Sequence, residues 1–230
     1  MFIPIHDSNR LRRIRRPFVT WLLLATTVAV YIVFQAGASD QEATLIVYRF
    51  GAIPSILTDR MILPPDIALL PTGASLITYS FLHGNAVHLV GNMLFLWVFG
   101  DNVEDAMGHV RFVVFYALCA AAGGYVYALS MPDSDTPLIG ASGAVSGIVA
   151  AYLMLHPKVK LWFLVFGPIP LRLRAQWVLG AWVALQFYNV LTQAGGVVAW
   201  TAHVGGLIAG AVLILVFRLS GTPLFDRSPS

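Results

Sequence analysis

From Ala175 to Phe217 the chain carries no Asp, Glu, Lys or Arg, and that run limits what such a chain can be. A helix rises 1.5 Å per residue and needs about 20 apolar residues to cross the hydrocarbon of a bilayer, so the stretch has room for two crossings. The division between them falls near Gln193-Ala194-Gly195-Gly196. The rest of the chain has the same character. With 58% hydrophobic and 11% charged residues in 230, and a mean hydropathy of +0.76, it reads as an all-α polytopic membrane protein rather than one or two soluble domains. The single cysteine, Cys119, excludes an internal disulfide and a zinc site made of cysteine clusters. The net charge of +3 lies in a few basic clusters that membrane topology explains, so no nucleic-acid partner is expected.

Four more crossings follow. Arg10, Arg12, Arg13, Arg15 and Arg16 precede an uncharged run from Pro17 to Ser39, which is long enough to span and lacks a clear signal-peptide cleavage site, so it reads as a retained first helix. Asp40 to about Thr72 is mixed and holds Pro64-Pro65, giving a long first loop over about 40–84. The second helix is expected from Asn85 to Val103, ending at Asp101, Glu104 and Asp105; the third from Phe112 to Met131; the fourth from Gly140 to His156. Between Val159 and Ala175 the apolar piece is short and broken by Pro168 and Pro170, too little to cross. With six crossings, the Arg10–Arg16 cluster, the Lys158–Arg174 loop and the Arg218–Arg227 tail fall on one side, which the positive-inside rule makes cytoplasmic. The expected organisation is therefore a basic cytoplasmic segment (1–16), a six-helix membrane domain (17–218) and a cytoplasmic tail (219–230).

This topology brings polar side chains of three helices to one depth. Ser142 lies in Gly140-Ala-Ser-Gly-Ala-Val-Ser-Gly147 at the outer end of the fourth helix, His203 is expected about two turns into the sixth, and His88 and Asn92 lie in the outer half of the second. Polar residues inside a membrane are functional candidates. Gly143 and Gly147 on the fourth helix and Gly206 and Gly210 on the sixth share a four-residue spacing that favours close helix approach. Such packing would bring Ser142 within hydrogen-bond reach of His203, the pairing in which an imidazole takes a serine proton and returns it to a leaving amine. No carboxylate is at hand to orient the histidine, so the pair would work as a dyad. His88 and Asn92, at i and i+4, share a face from which they could donate to an oxyanion, together with the backbone of Gly140, Ala141 and Ser142. His83 falls off that face and, with Thr78, Ser80 and Asn85, is expected to admit water.

Three separated motifs, His83-Gly-Asn-Ala-Val-His88-Leu-Val-Gly-Asn92, Gly140-Ala-Ser142-Gly143 and Ala202-His203-Val-Gly205-Gly206, together resemble the rhomboid intramembrane serine proteases over nearly the whole chain. The resemblance implies Ser142 as nucleophile, His203 as its base, and His88 and Asn92 at the oxyanion site. It implies hydrolysis of peptide bonds in or near transmembrane helices of other proteins in the lipid bilayer, with small residues favoured at the cut, and no metal or cofactor. Ala74 and Ser75 stand where many relatives carry Trp-Arg in the first loop, and Ser146 stands where some bacterial members carry a tyrosine stacked on the histidine. The simple six-helix layout fits a bacterial inner membrane with both termini in the cytoplasm. Two other classes compete: a rhomboid-like protein that binds membrane helices without cutting them, and a small transporter or metal carrier built on His83, His88 and His203. The first usually lacks the serine or histidine, and the second lacks an intramembrane carboxylate.

Overall fold

In the computed structural model, which describes residues 2–165, 169–193 and 198–226, the chain is a polytopic helical bundle with a small sheet at one end. Six helices are long: α1 (Phe18–Val30, extended by a π-helical turn Tyr31–Gln35), α5 (Ala86–Met107), α6 (His109–Ser130), α7 (Ser142–Leu155), α8 (Ala175–Leu191) and α9 (Trp200–Phe217). Phe18–Gln35, α5, α6 and α9 each have the length and hydropathy of a crossing, and α7 is a shorter apolar helix. The first loop carries α2 (Asp40–Phe50), α3 (Pro54–Leu57) and α4 (Ser75–Thr78). A capping box closes the start of α2, where Ser39 accepts from the Glu42 N–H and the Glu42 carboxylate accepts from the Ser39 N–H. The start of α5 is closed by Asn85, whose side chain accepts from the His88 N–H.

Helix α7 is the centre of the bundle. It is buried along most of its length and packs against α5, α6 and α9, whereas α1 and α8 each bury only a few residues. The glycine pattern is used as its spacing suggests. A β-carbon at Gly206 would overlap the carbonyl oxygen of Gly143, and one at Gly210 would overlap that of Gly147. The two helices therefore run parallel and in register, with backbones too close for any side chain between them.

Strands β1 (Phe2–Asp7), β2 (Lys160–Val165) and β3 (Ile169–Arg174) form an antiparallel sheet in that order. The segment after the fourth helix is thus too short to cross, as expected, but it is a hairpin and not an irregular loop. Leu161 and Phe163 are buried while Lys160 and Trp162 are not, the two-residue alternation of a half-covered strand. Pro168 lies outside the described residues, as do Ala194–Gly196 of the expected turn and Arg227 of the tail.

The sheet, the 12–14 segment and the C-terminal tail gather at the end of the bundle formed by the C-termini of α5, α7 and α9. Phe225 and Asp226 donate to the carbonyls of Met154 and Leu155, and Leu219 donates to that of Ala106. The three basic segments therefore do share one end. The second helix runs past the expected Val103 to Met107. Glu104 and Asp105 sit inside α5, and only Gly108, at φ +81°, separates it from α6. Burial of these carboxylates is compatible with the helix because each is supplied with donors. Glu104 accepts from the N–H groups of Val19 and Thr20 and from the Thr20 hydroxyl, which caps α1 from outside. Asp105 accepts from the N–H groups of Arg12, Arg13 and Ile14.

Candidate active site

The opposite end of the bundle holds the candidate residues. Gly140, just before α7, has φ +121°, a conformation open to glycine and strained for other residues. A β-carbon there would also meet the His88 imidazole, 2.8 Å from its Nε2. The turn is pinned from below by Tyr79. Its carbonyl accepts from the Gly140 N–H at 3.0 Å, and its phenol, wedged against Gly123, Gly124 and Gly143, donates to the carbonyl of Ala120 at 2.8 Å. Ala141 is buried and its N–H donates to His83 Nε2 at 3.4 Å.

Ser142 follows as the first residue of α7, half-buried, with a backbone N–H that has no intrahelical acceptor. Its carbonyl accepts from the Ser146 hydroxyl at 2.6 Å. Residue 146 thus bonds back along its own helix and does not reach the histidine.

His203 lies one turn into α9 and is buried, 9% exposed. Its Nδ1 lies 2.8 Å from Oε1 of Gln186, a buried amide on α8. The ring is sandwiched by Trp182, near-parallel at 6.3 Å, and by Trp200, edge-on at 5.9 Å. The helix register brings the neighbours of Ser142 and His203 together. A β-carbon at Gly123 of α6 would lie 2.8 Å from the Ala202 carbonyl oxygen and 3.2 Å from the Gly143 Cα. No hydrogen bond joins Ser142 to His203 among the described residues, and the second ring nitrogen of His203 takes no protein partner there.

His88 and Asn92 begin α5 beside the Gly140 turn. The Asn92 side chain donates one hydrogen to the His88 carbonyl at 3.2 Å, and the second is left over. His83 packs edge-on against His88 with ring centroids 5.1 Å apart. Its backbone is clamped by Gln35, which donates to the His83 carbonyl and accepts from its N–H, both at 3.0 Å. Burial, with His88 beside it, pushes the His83 imidazole down to about 4, so the ring is neutral. Since Nε2 accepts from Ala141, the hydrogen is on Nδ1, and that atom is buried without a partner.

Residues 72–220 match the Rhomboid domain family model. Over 222 residues the chain is 31% identical to rhomboid protease AarA of Providencia stuartii, an alignment covering 87% of this chain and 73% of that protein. The chain belongs to the rhomboid family. It is also 32% identical over 148 residues to the mitochondrial rhomboid protein 1 of Saccharomyces cerevisiae, covering 60% of this chain and 40% of the relative. It is 29% identical over 155 residues to the mitochondrial RHOMBOID-like protein 12 of Arabidopsis thaliana, covering 60% and 44%. The chain therefore spans less than half the length of these two mitochondrial relatives. Family membership and the apolar helices make it a multi-pass membrane protein.

Ser142, His203, His88, Asn92 and His83 of this rhomboid chain all gather at one end. Gly140 and Ala141 do as well, but their N–H groups are held by Tyr79 and His83. A buried backbone donor must find an acceptor, so these two shape the turn and are not free donors in this state. Among the aromatics of the long helices, Phe99 is fully buried and Trp182 lies on His203, while Trp97 and Trp177 are exposed. The sequence reading missed Gln35, Tyr79, Gln186 and Trp200. The amides Gln35 and Gln186 did carry a signal, each being a polar side chain within an otherwise apolar run.

Proposed function

We propose that this rhomboid chain is an intramembrane serine endopeptidase that cleaves peptide bonds in or near transmembrane segments of other membrane proteins. The observation that carries the reading is the in-register contact of α7 and α9 through Gly143, Gly147, Gly206 and Gly210. It sets the start of one helix, with Ser142, beside the first turn of the other, with His203. Ser142 Oγ attacks the scissile carbonyl carbon while His203 Nε2 takes its proton. The oxyanion accepts from the Ser142 N–H, with His88 and the spare Asn92 hydrogen adjoining. His203 then protonates the leaving amine, and a water molecule, deprotonated by the same nitrogen, releases the acyl group from Ser142.

The membrane domain is read as 17–218, with the three basic segments, and hence both termini, on the cytoplasmic side of a bacterial inner membrane. The missing hydrogen bond between Ser142 and His203 favours a second reading, a non-cleaving protein that binds membrane helices, although catalytic hydrogen bonds are often long before substrate binds. A fluorescent fluorophosphonate applied to detergent-solubilised protein separates the two. Labelling of the wild type, abolished in Ser142→Ala and slowed by at least about 100-fold in His203→Ala, is expected. A folded wild type that takes no label moves the assignment to the non-cleaving protein.

A further inference from the structure

We infer that Gln186 is the positioning residue of His203, a neutral side chain that fixes the imidazole tautomer in place of a carboxylate; this rests on the Ser142–His203 reading above. Three observations lead there. Gln186 Oε1 lies 2.8 Å from His203 Nδ1. The amide cannot turn over, because its nitrogen donates to the carbonyl of Trp182, one turn earlier on α8, at 3.0 Å. Reversal would set the amide oxygen against that carbonyl and the NH2 against the ring. Gln186 itself is 1% exposed, so no water substitutes for either bond.

The consequence is chemical. A carbonyl oxygen only accepts, so the histidine nitrogen facing it must carry the hydrogen. With Nδ1 protonated and the ring neutral, the lone pair is confined to Nε2, the nitrogen without a protein partner. That is the form needed to take a proton from Ser142. The other tautomer would leave an unpaired lone pair against the Gln186 oxygen and direct an N–H at the serine. An amide suits this location better than a carboxylate because it orients the ring without burying a charge among apolar helices. Trp182 serves twice, holding the amide through its carbonyl and the imidazole face through its indole. Trp200 closes the ring edge-on. These three side chains, Gln186, Trp182 and Trp200, define the ring's plane, its rotation and its proton.

The test uses the fluorescent fluorophosphonate on the full chain in detergent, measuring the maximal labelling rate and the half-saturating concentration across pH. Gln186→Leu removes the acceptor and is expected to lower the maximal rate roughly 10- to 100-fold with the half-saturating concentration within about twofold of wild type. Gln186→Glu restores the acceptor, its protonated carboxyl donating to the Trp182 carbonyl in place of the amide and its ionised form stabilising the imidazolium. It should label faster than the Leu variant, with the pH midpoint of labelling moved upward. That movement is a readout that a packing role alone would not produce, and it decides the matter even where Gln186→Leu fails to fold. Wild-type labelling by folded Gln186→Leu, or a Glu variant as slow as Leu with an unmoved midpoint, overturns the inference while leaving the dyad intact. Full labelling of Ser142→Ala, or none of folded wild type, removes the dyad and this inference together.

Discussion

At the end of the bundle built from the C-termini of α5, α7 and α9, the buried polar groups include carboxylates, and Glu104 and Asp105 accept from the N–H groups of Val19, Thr20, Arg12, Arg13 and Ile14. At the end built from the N-termini of the same helices, the buried polar side chains of the described residues, His83, Asn92 and His203 among them, include no carboxylate. His83 Nδ1 and Trp200 Nε1 are buried without partners, and Asn92 keeps a spare hydrogen. The first arrangement ties segments distant in sequence into one scaffold, because a carboxylate with several N–H donors is a strong junction. The second keeps hydrogen-bonding capacity in reserve, at a cost in stability of about 1–3 kcal/mol for each unsatisfied group. The carboxylate junctions and the proposed dyad thus lie at opposite ends, with α7 joining them.

The contrast can be broken where the ends are coupled. Gly206→Ala introduces a β-carbon onto the Gly143 carbonyl and must separate α7 from α9. It should lose nearly all fluorophosphonate labelling and about 3 kcal/mol or more of stability. Gly180→Ala on α8, where a β-carbon meets nothing within 4 Å, serves as the control and should leave both unchanged. If Gly206→Ala labels like wild type, the register argument for Ser142 and His203 is wrong.

A substitution confined to the scaffold end sharpens the comparison. Glu104→Ala leaves the Val19 and Thr20 N–H groups and the Thr20 hydroxyl without their acceptor, and should cost about 2–4 kcal/mol, read as a lower thermal midpoint in detergent. Labelling per folded molecule should hold at the wild-type rate. A labelling defect without loss of stability would show that the two ends are not separable in this way.

The smallest effect concerns Asp7 of β1, which accepts from the Tyr152 hydroxyl at 2.8 Å and from Asn102 at 3.0 Å. Burial raises its carboxyl from 3.8 to about 6, against the pull of the Tyr152 hydrogen bond. A raised folded-state value means that the group's contribution to stability is complete below the unfolded value and is lost as pH rises through about 6. Between about pH 4 and pH 7.5 the wild type should therefore lose of order 1–2 kcal/mol relative to Asp7→Asn, measured as diverging thermal midpoints. Parallel midpoints across that range would mean that Asp7 is not held in its neutral form.

Much of the molecule was legible from residue order. Uncharged runs located the helices, because the energetic penalty for polar groups in hydrocarbon is a property of each segment by itself. The glycines at 143, 147, 206 and 210 announced the α7–α9 contact, because only a missing side chain permits it. Ser142, His203, His88 and Asn92 stood out as polar groups in apolar surroundings, and the three motifs identified the family they belong to.

What the tertiary structure alone decided is who partners whom. Asp101, Glu104 and Asp105 looked like the end of a helix, and became part of one because donors from residues 12–20 reached them. Residues 160–174 looked like a broken loop until β1, from the far end of the chain, gave them an edge to pair with. His203 looked unsupported until α8 brought Gln186 and Trp182 to it. Hydropathy is additive along the chain and can be read locally, whereas a hydrogen bond has two ends, and the second is fixed only when the helices pack.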